Sequence, residues 1–201
     1  MKILHISDTH GRHTELVKLP AADIIVHSGD FTLGGSEQET INFLNWFLDL
    51  PYQHKILVAG NHDDCLYNSG LNGLDSNCHY LNNSDVVIGG VRFYGVPMFM
   101  QDCISGQQER NIGNIPAGID VLVTHQPPYG ILDRSGSINY GSSELLSKIG
   151  IIAPQFHLFG HIHVANGEVI TKTTKFVNSA IVSENYQSLQ SYHILSINHL
   201  I

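Results

Sequence analysis

Positive charge is scarce in this sequence. Its 201 residues include 10 lysines and arginines against 18 aspartates and glutamates, which gives a formal net charge of -8. We therefore expect no extended nucleic acid binding, because a polyanion needs a broad basic surface. Charged residues of both signs make up only 14% of the chain, while apolar residues reach 42%. This balance excludes an intrinsically disordered protein, which needs low hydrophobicity and high charge.

Cysteine is scarce too, and no long apolar run is present. The three cysteines, Cys65, Cys78 and Cys103, form no C-x-x-C pair, which argues against a disulfide framework and against a thiolate zinc site. No stretch approaches the roughly 20 apolar residues of a membrane span, and none near Met1 resembles a secretory segment. We therefore expect a cytoplasmic protein without membrane association, folded as one domain over residues 1–201.

The residue in excess is histidine. The 13 histidines outnumber all the lysines and arginines together. Imidazole is the commonest metal ligand in proteins and a common acid or base near neutral pH. This excess is the first indication of a metal-dependent function.

Short apolar runs, typical of buried strands, recur along the chain. Ser36 and Glu39 have the spacing of a capping box and predict a helix that ends at Leu50, before a proline. A second helix is predicted over residues 142–148, ended by Gly150 in the left-handed conformation. Strands that alternate with helices and then follow one another indicate an α/β domain. The predicted strands span residues 2–7, 23–28, 55–59, 85–89, 91–96, 120–124, 156–159, 167–171, 175–178 and 191–197.

Polar side chains collect directly after five of these apolar runs. An open α/β sheet builds its site at the carboxyl ends of its strands, so these side chains are expected to lie close together. In chain order the candidate site residues are Asp8, His10, Asp30, Asn61, His62, His125, His161 and His163.

Each of these groups alone has an ordinary structural explanation. A D-x-H triplet is compatible with a turn beside a surface histidine, a G-N pair is a common turn, and an H-x-H triplet fits one face of an edge strand. Together they are hard to explain in that way, because buried polar groups are costly unless paired. Two carboxylates, four imidazoles and one amide exceed a closed four-ligand zinc site, so two metal ions that share a carboxylate fit better. Nitrogen and oxygen ligands without thiolate favour manganese, iron or zinc over calcium.

The order of these motifs, D-x-H, G-D, G-N-H-D, a lone H and G-H-x-H, resembles the calcineurin-like metallophosphoesterase superfamily. The longer stretches at residues 7–13, 29–32, 124–128 and 157–163 look like its small branch of metallophosphoesterase-domain proteins of the fetal-brain type. The resemblance implies a four-layer sandwich of two mixed β-sheets flanked by helices.

The resemblance also implies a role for each site residue. Asp30 would bridge two metal ions, and His62 would stand over the phosphorus as general acid or phosphate-orienting group. The ligands of the first ion would be Asp8, His10, Asp30 and His163, and those of the second Asp30, Asn61, His125 and His161.

The function expected from this constellation is hydrolysis of a small-molecule phosphodiester, with a cyclic nucleotide as the favoured substrate class. Two divalent transition metal ions would hold a bridging hydroxide for attack, with manganese favoured and iron, zinc, nickel or cobalt as alternatives. His62 would protonate the leaving group. Diesters are favoured because only Arg12 lies near a ligand motif, while Asp63 and Asp64 are expected to add negative charge at the rim and repel a dianion.

Alternatives stay open at this stage. The chain is compatible with a phosphomonoesterase or nucleotidase, or with a non-catalytic metal-binding protein. Arg12 is compatible with a phosphate contact or with a solvated loop cation. The oligomeric state is not predicted. The remaining histidines are interpreted as structural or surface residues: His5, His13, His27, His54, His79, His157, His193 and His199.

Overall fold

The structure, a computed structural model of the chain, describes residues 1–197. Within these residues lie thirteen β-strands and four α-helices. The strands are β1 (Lys2–Ile6), β2 (Ile24–His27), β3 (His54–Leu57), β4 (Cys78–Tyr80), β5 (Ser84–Ile88), β6 (Val91–Val96), β7 (Val121–Thr124), β8 (Arg134–Ser135), β9 (Ile138–Asn139), β10 (Phe156–Phe159), β11 (Gly167–Ile170), β12 (Lys175–Asn178) and β13 (His193–Ser196). The helices are α1 (Glu37–Asp49), α2 (Met100–Ser105), α3 (Gln107–Gly113) and α4 (Ser143–Ile152).

The strands form two mixed sheets and a small hairpin. The first sheet has the order β13-β1-β2-β3-β4, in which β1 to β4 are parallel and β13 is antiparallel. The second has the order β11-β12-β10-β7-β6-β5, with antiparallel strands at its two edges. β8 and β9 form the hairpin. Just beyond β1, Ser7 pairs with Ala180, so the two sheets are joined at the carboxyl end of their parallel strands.

The two sheets face each other across an apolar core. Ile3 and Val26 of the first sheet are fully buried in one cluster with Phe93, Val123 and Leu158 of the second. Strand side chains alternate between the two faces of a sheet, so the intervening residues pack on the outer faces. There a second cluster fills the space below α1, and a third lies below α3 and α4.

Helices therefore cover both outer faces. Ile25 of β2 clusters with Phe47 of α1, and Leu122 of β7 clusters with Ile149 of α4. The order of layers is helix, sheet, sheet, helix. The predicted four-layer sandwich of two mixed β-sheets flanked by helices is confirmed.

The first predicted helix begins as the sequence indicates. The Ser36 side chain accepts a hydrogen bond from the Glu39 N–H, and the Glu39 carboxylate accepts one from the Ser36 N–H. Further N–H donors from Gly34 and Leu33 hold the pKa of Glu39 down at about 2. The helix ends at Asp49 with Leu50 as its C-cap.

The end predicted for the second helix is wrong. Gly150 lies inside α4, which continues to Ile152, and the left-handed residue that ends it is Ala153, with φ 45°. Burial of Ile149 favours a longer helix, because this side chain packs against the second sheet. Pro154 then prevents any continuation, since its ring would clash with the preceding turn.

Candidate metal centre

The predicted site residues come together at the joined carboxyl edge of the two sheets. Asp8 and His10 follow β1, Asp30 follows β2, and Asn61 and His62 follow β3. The second sheet adds three imidazoles, from His125 after β7 and from His161 and His163 after β10. Ligand atoms of these residues lie within 4.8 Å of one another in three groups: Asp8, His10 and His163; His10, Asp30 and His62; and Asp30, His125 and His161.

The backbone turns sharply at four of these residues. Asp8, His10, Asp30 and His161 have φ between 44° and 69°, in the left-handed region that side chains other than glycine rarely adopt. Such a conformation costs on the order of 1–3 kcal/mol per residue and persists only where the surrounding structure enforces it. Its concentration here indicates that the fold is held in a strained form to aim these side chains.

Two glycines allow the carboxylates to reach their positions. A Cβ on Gly60 would overlap the carboxylate of Asp30, and a Cβ on Gly160 would overlap that of Asp8. Each glycine precedes a candidate ligand in the sequence. The glycines of the G-N-H and G-H-x-H motifs are therefore required by close approach to a carboxylate.

In the group of Asp8, His10 and His163, the nitrogen and oxygen atoms that are able to bind a metal ion lie close together. The Nε2 atoms of His10 and His163 are 3.2 Å apart, and His163 Nε2 is 3.5 Å from Asp8 Oδ1. The Asp8 carboxylate also accepts the His161 N–H at 3.0 Å, which fixes its orientation.

The group of Asp30, His125 and His161 also brings nitrogen and oxygen atoms close together. His125 Nε2 lies 3.2 Å from the side-chain oxygen of Asn61 and 3.3 Å from Asp30 Oδ2. The His161 ring lies edge-on to that of His125, with the centroids 5.1 Å apart. Asn61 thus lies beside the imidazole of His125.

Hydrogen bonds at the opposite ring nitrogen decide which imidazole atom faces the site. The Nδ1 atoms of His10, His125 and His163 lie 3.0, 2.9 and 3.4 Å from the carbonyl oxygens of Thr32, Ser28 and Ser183. A carbonyl only accepts, so each Nδ1 carries a proton, and Nε2 is the ring nitrogen that is left to bind a metal ion.

This arrangement fits a divalent cation. Two bare nitrogens at 3.2 Å repel each other, as do a nitrogen and an amide oxygen, unless a proton or a metal ion lies between them. The donors are imidazole nitrogens and carboxylate or amide oxygens, and no described cysteine is among them. That set suits a transition metal better than calcium.

Asp30 lies between the two groups. Its Oδ2 is 3.7 Å from His10 Nε2 and 3.3 Å from His125 Nε2, while Oδ1 accepts the His62 N–H at 2.8 Å. One carboxylate oxygen therefore faces both groups of imidazoles. This is the position that a bridging ligand requires.

Charges within the site act on two of the imidazoles. Burial acts to lower the pKa of His125, but the charge of Asp30, its hydrogen bond and the charge of Asp8 outweigh burial and raise that pKa to about 10. Burial also acts to lower the pKa of His163, but the hydrogen bond and charge of Asp8 raise it above its usual value. His161 has no such partner, and burial lowers its pKa to about 4. The metal-free site therefore holds a protonated His125 paired with Asp30.

His62 stands at the rim of this cluster. Its Nδ1 donates to the Leu33 carbonyl at 2.8 Å, which turns Nε2 away from that carbonyl. The ring meets the His10 ring edge-on at 4.8 Å, and its ligand atom lies within 4.8 Å of those of His10 and Asp30. The position suits a proton donor beside the metal centre, and it also makes His62 a candidate ligand.

Asp63, by contrast, does not lie at the rim as expected. It is fully buried, and its carboxylate accepts the N–H groups of Gly60, Asp30 and Thr32 at 2.8–2.9 Å. Only Asp64 is exposed. Asp63 thus ties the loop after β3 to the loop after β2, a role that the sequence analysis missed although an acid directly after G-N-H is its signal.

Exchange of Asp63 for Asn should loosen this junction. An amide places an NH₂ group against backbone N–H donors and removes charge-assisted hydrogen bonds, so we expect a loss of about 2 kcal/mol in the free energy of unfolding. Thermal unfolding should show Tm lower by roughly 4–8 °C. The matched variant Asp64→Asn should stay within about 0.5 kcal/mol of the wild type. Equal stability of the two variants would contradict this role.

Most histidines outside the site have structural contacts. His27 is fully buried, accepts the Gly29 N–H at Nδ1, and bonds the Thr9 hydroxyl through Nε2, so it buttresses the turns that carry the ligands. His13 packs between the rings of Phe43 and Trp46. The structural interpretation holds for these two residues. His199 lies outside the described residues.

Arg12 is occupied by protein groups. Its guanidinium makes two hydrogen bonds of 2.7 Å to the Glu15 carboxylate and one of 2.8 Å to the Tyr186 carbonyl. Neither alternative from the sequence describes it fully, because the side chain ties the loop after β1 to the segment around Tyr186.

Among residues 1–197, no helix is long and apolar enough to cross a bilayer.

Comparison with known proteins agrees with this geometry. The sequence profile of the calcineurin-like phosphoesterases matches residues 1–165, which include every candidate ligand. The chain belongs to this family. It is 34% identical to metallophosphoesterase domain-containing protein 1 of Homo sapiens and of Mus musculus over 217 residues, which cover 90% of this chain and 66% of those proteins. The chain thus spans just under two thirds of the length of these relatives.

Other proteins extend the likeness. The UPF0046 protein C25E10.12 of Caenorhabditis elegans is 34% identical over 94% of this chain and 78% of its own length. Among solved structures, TT1561 of Thermus thermophilus superposes with a TM-score of 0.59 at 14% identity, over 89% of this chain and 88% of that one. The predicted family is confirmed, and the solved structure supports the same fold.

Proposed function

We propose that this calcineurin-like phosphoesterase is a metal-dependent phosphodiesterase that acts on small molecules in the cytoplasm, with a cyclic nucleotide as the favoured substrate class. Family membership and the ligand clusters support the coarser statement, a metal-dependent phosphoester hydrolase. The observation that carries the proposal is the convergence of imidazole nitrogens and carboxylate oxygens on one edge, with His62 beside them.

Two ions would be held by the residues already described. The first ion would take Asp8, His10, Asp30 and His163, and the second would take Asp30, Asn61, His125 and His161, with manganese favoured among transition metals. When bound, such ions lower the pKa of water and polarise phosphoryl oxygens. The protein's part is to hold the ligands rigidly through carbonyl acceptors, the left-handed turns and the Asp63 junction.

His62 would act on the leaving oxygen. Its Nδ1 proton is committed to the Leu33 carbonyl, so the proton available to a substrate is the one on Nε2, which faces the site. When the phosphorus–oxygen bond breaks, that proton passes to the departing alkoxide and the ring becomes neutral. The bond to Leu33 keeps the ring oriented in both protonation states, because Nδ1 donates in each.

The preference for diesters is supported by the contacts of Arg12, the arginine that lies near a ligand motif in the sequence. A monoester carries close to two negative charges near neutral pH, and its selective binding favours arginine forks. Arg12 is held by Glu15 and by a carbonyl, while Asp64 adds exposed negative charge near His62. Asp63 no longer contributes to this argument, because it is buried.

The substrate class has a direct test. We expect kcat/KM for bis(4-nitrophenyl) phosphate to exceed that for 4-nitrophenyl phosphate at least about tenfold with manganese, since the dianion lacks a fixed cation partner. A cyclic nucleotide should then be cleaved in preference to the matching nucleoside monophosphate. A clear advantage for the monoester would instead support the phosphomonoesterase alternative.

Metal binding should release protons. His125 holds a proton up to about pH 10 in the metal-free site, and a ligating imidazole must be neutral. We therefore expect metal affinity to rise with pH across the neutral range, and at least one proton to leave each chain at pH 7. Calorimetric titration of manganese in two buffers with different ionisation enthalpies measures this release. A binding enthalpy that does not depend on the buffer would contradict it.

A further inference from the structure

A cleft opens beside the metal centre. The described residues that line it include His161, His163, Tyr140 and Tyr186. His62 does not line this cleft. A volume of about 240 Å³ is below the 300–1,000 Å³ of pockets that hold drug-sized ligands, so the cleft accommodates one ring-sized part of a molecule.

Tyr186 is held in a strained backbone conformation. Its φ is 58°, a strained value for a tyrosine, and its ring lies 5.1 Å from the His10 ring and 5.4 Å from the His163 ring. The Arg12 guanidinium and the Ser183 carbonyl bond its backbone. Tyr186 is nevertheless 42% exposed. An aromatic residue that contacts two candidate ligands and is partly open to solvent is able to contact a bound molecule.

Tyr140, which also lines the cleft, lies in a loop held by hydrogen bonds. Tyr140 follows the β8–β9 hairpin, whose loop is organised by the buried carboxylate of Asp133. That carboxylate accepts hydrogen bonds from the N–H groups of Gly130 and Gly141 and from the Asn139 side chain at 2.9–3.0 Å. The loop that carries Tyr140 is therefore held in place, which lowers the ordering cost when a ligand binds there.

The charge of the cleft is negative. Glu184 lines it, and one oxygen of this carboxylate accepts the Ser135 hydroxyl at 2.8 Å. Its second oxygen makes no hydrogen bond to the described residues, so it is free to accept one from a ligand. No lysine or arginine is among the described residues that line the cleft. Such a surface repels an anionic group and favours a group that donates hydrogen bonds.

We propose that the cleft between Tyr140 and Tyr186 binds the non-leaving substituent of the phosphodiester, and that it selects an uncharged planar ring bearing hydrogen-bond donors. The inference rests on the proposed function, because that function assigns the leaving group to His62, which does not line the cleft. The two substituents of the diester would then contact different residues.

Two esters with the same leaving group isolate the cleft. Methyl 4-nitrophenyl phosphate and phenyl 4-nitrophenyl phosphate differ only in the non-leaving substituent, so the ratio of their kcat/KM values reports on ring binding. We expect the phenyl ester to be preferred, and this ratio to fall roughly twofold to tenfold in Tyr140→Leu and in Tyr186→Leu. Tyr129→Leu is the matched control, since Tyr129 is exposed on the same loop outside the cleft and should keep the wild-type ratio.

The role of Glu184 is tested by charge. An ester with a 4-carboxyphenyl substituent should be cleaved less efficiently than the phenyl ester, and Glu184→Gln should reduce this difference severalfold.

A calorimetric comparison of phenylphosphonate with methylphosphonate, on manganese-loaded protein of verified metal content, measures the ring preference without turnover. The preference for phenylphosphonate over methylphosphonate should be lost in Tyr140→Leu and kept in Tyr129→Leu.

The outcomes separate this inference from the proposed function. An unchanged ester ratio in both cleft variants overturns the inference and leaves the phosphodiesterase intact. Failure of metal-loaded wild-type protein to cleave either ester overturns the proposed function, and the phosphonate comparison then decides the cleft by itself. Equal affinity for the two phosphonates would show that no ring is bound there.

Discussion

Asp30→Asn should lose both metal ions, while Asp8→Asn should lose chiefly one. The Asp30 Oδ2 atom lies 3.7 Å from His10 Nε2 and 3.3 Å from His125 Nε2, so it reaches both sets of imidazoles. Asp8 belongs to a single ligand group, with His10 and His163. An Asn side chain still offers an oxygen to the His62 N–H or the His161 N–H, so the loops keep a hydrogen-bond acceptor while the charge is removed. We expect affinity at the affected sites to fall at least about 100-fold, the upper end of the losses seen for residues that only support ligands.

Metal content per chain after dialysis measures this difference. The wild type should carry about two ions, Asp8→Asn about one and Asp30→Asn close to none. Asp64→Asn serves as a control, because it removes an exposed carboxylate beside the site without removing a ligand. Activity should disappear on chelation and return best with manganese. Equal metal loss in the two ligand variants would reject Asp30 as the bridge, and full activity of metal-free protein would reject the proposed chemistry.

Much of the fold could be predicted because the signals of its strands and of its first helix are short patterns of neighbouring residues. The runs at residues 2–7 and 120–124 indicate buried strands, and β1 and β7 lie within them. The capping box at Ser36 predicts where α1 begins, since both partners lie within one turn. Helices α2 and α3 were missed because their sequence has few apolar residues at helical spacing and is interrupted by the left-handed Gly106.

The membership of the site follows from the sequence, but its geometry does not. Parallel strands place the polar residues of one sheet along one edge, which accounts for Asp8 beside Asp30. The contact between His125 and the second-strand loop joins residues 97 positions apart, through the Ser28 carbonyl. No local pattern predicts such a contact, because it depends on how two sheets meet at Ser7 and Ala180.

The error at Asp63 has a similar cause. Adjacent acids such as Asp63 and Asp64 suggest an exposed, charged turn, since buried carboxylates are rare unless paired. Here the partners are backbone N–H groups from two loops, which composition does not reveal. A buried carboxylate with such donors is a structural residue, and its neighbour alone remains at the surface.

Replacement of His62 should slow hydrolysis without removing metal. Its ring lies at the rim, edge-on to His10, and its backbone N–H rather than its ring bonds Asp30. A general acid contributes typically 10²- to 10⁴-fold, and the contribution is needed most when the leaving group is basic. We therefore expect a large defect in His62→Ala with an alkyl leaving group and a much smaller defect with 4-nitrophenolate.

A comparison of His62→Ala with His62→Gln separates proton transfer from orientation. The Gln side chain can donate a hydrogen bond to a phosphoryl oxygen, but it cannot give up a proton. If His62 is the acid, both variants should show the same steep dependence of log kcat on the pKa of the leaving group. If it orients the phosphate, Gln should restore activity and the dependence should match the wild type. His79→Gln, on β4 and stacked with His54 outside the site, controls for the loss of an imidazole. Metal content then tests the remaining alternative, because His62 shares a candidate ligand group with His10 and Asp30, and loss of an ion from His62→Ala would make it a ligand instead.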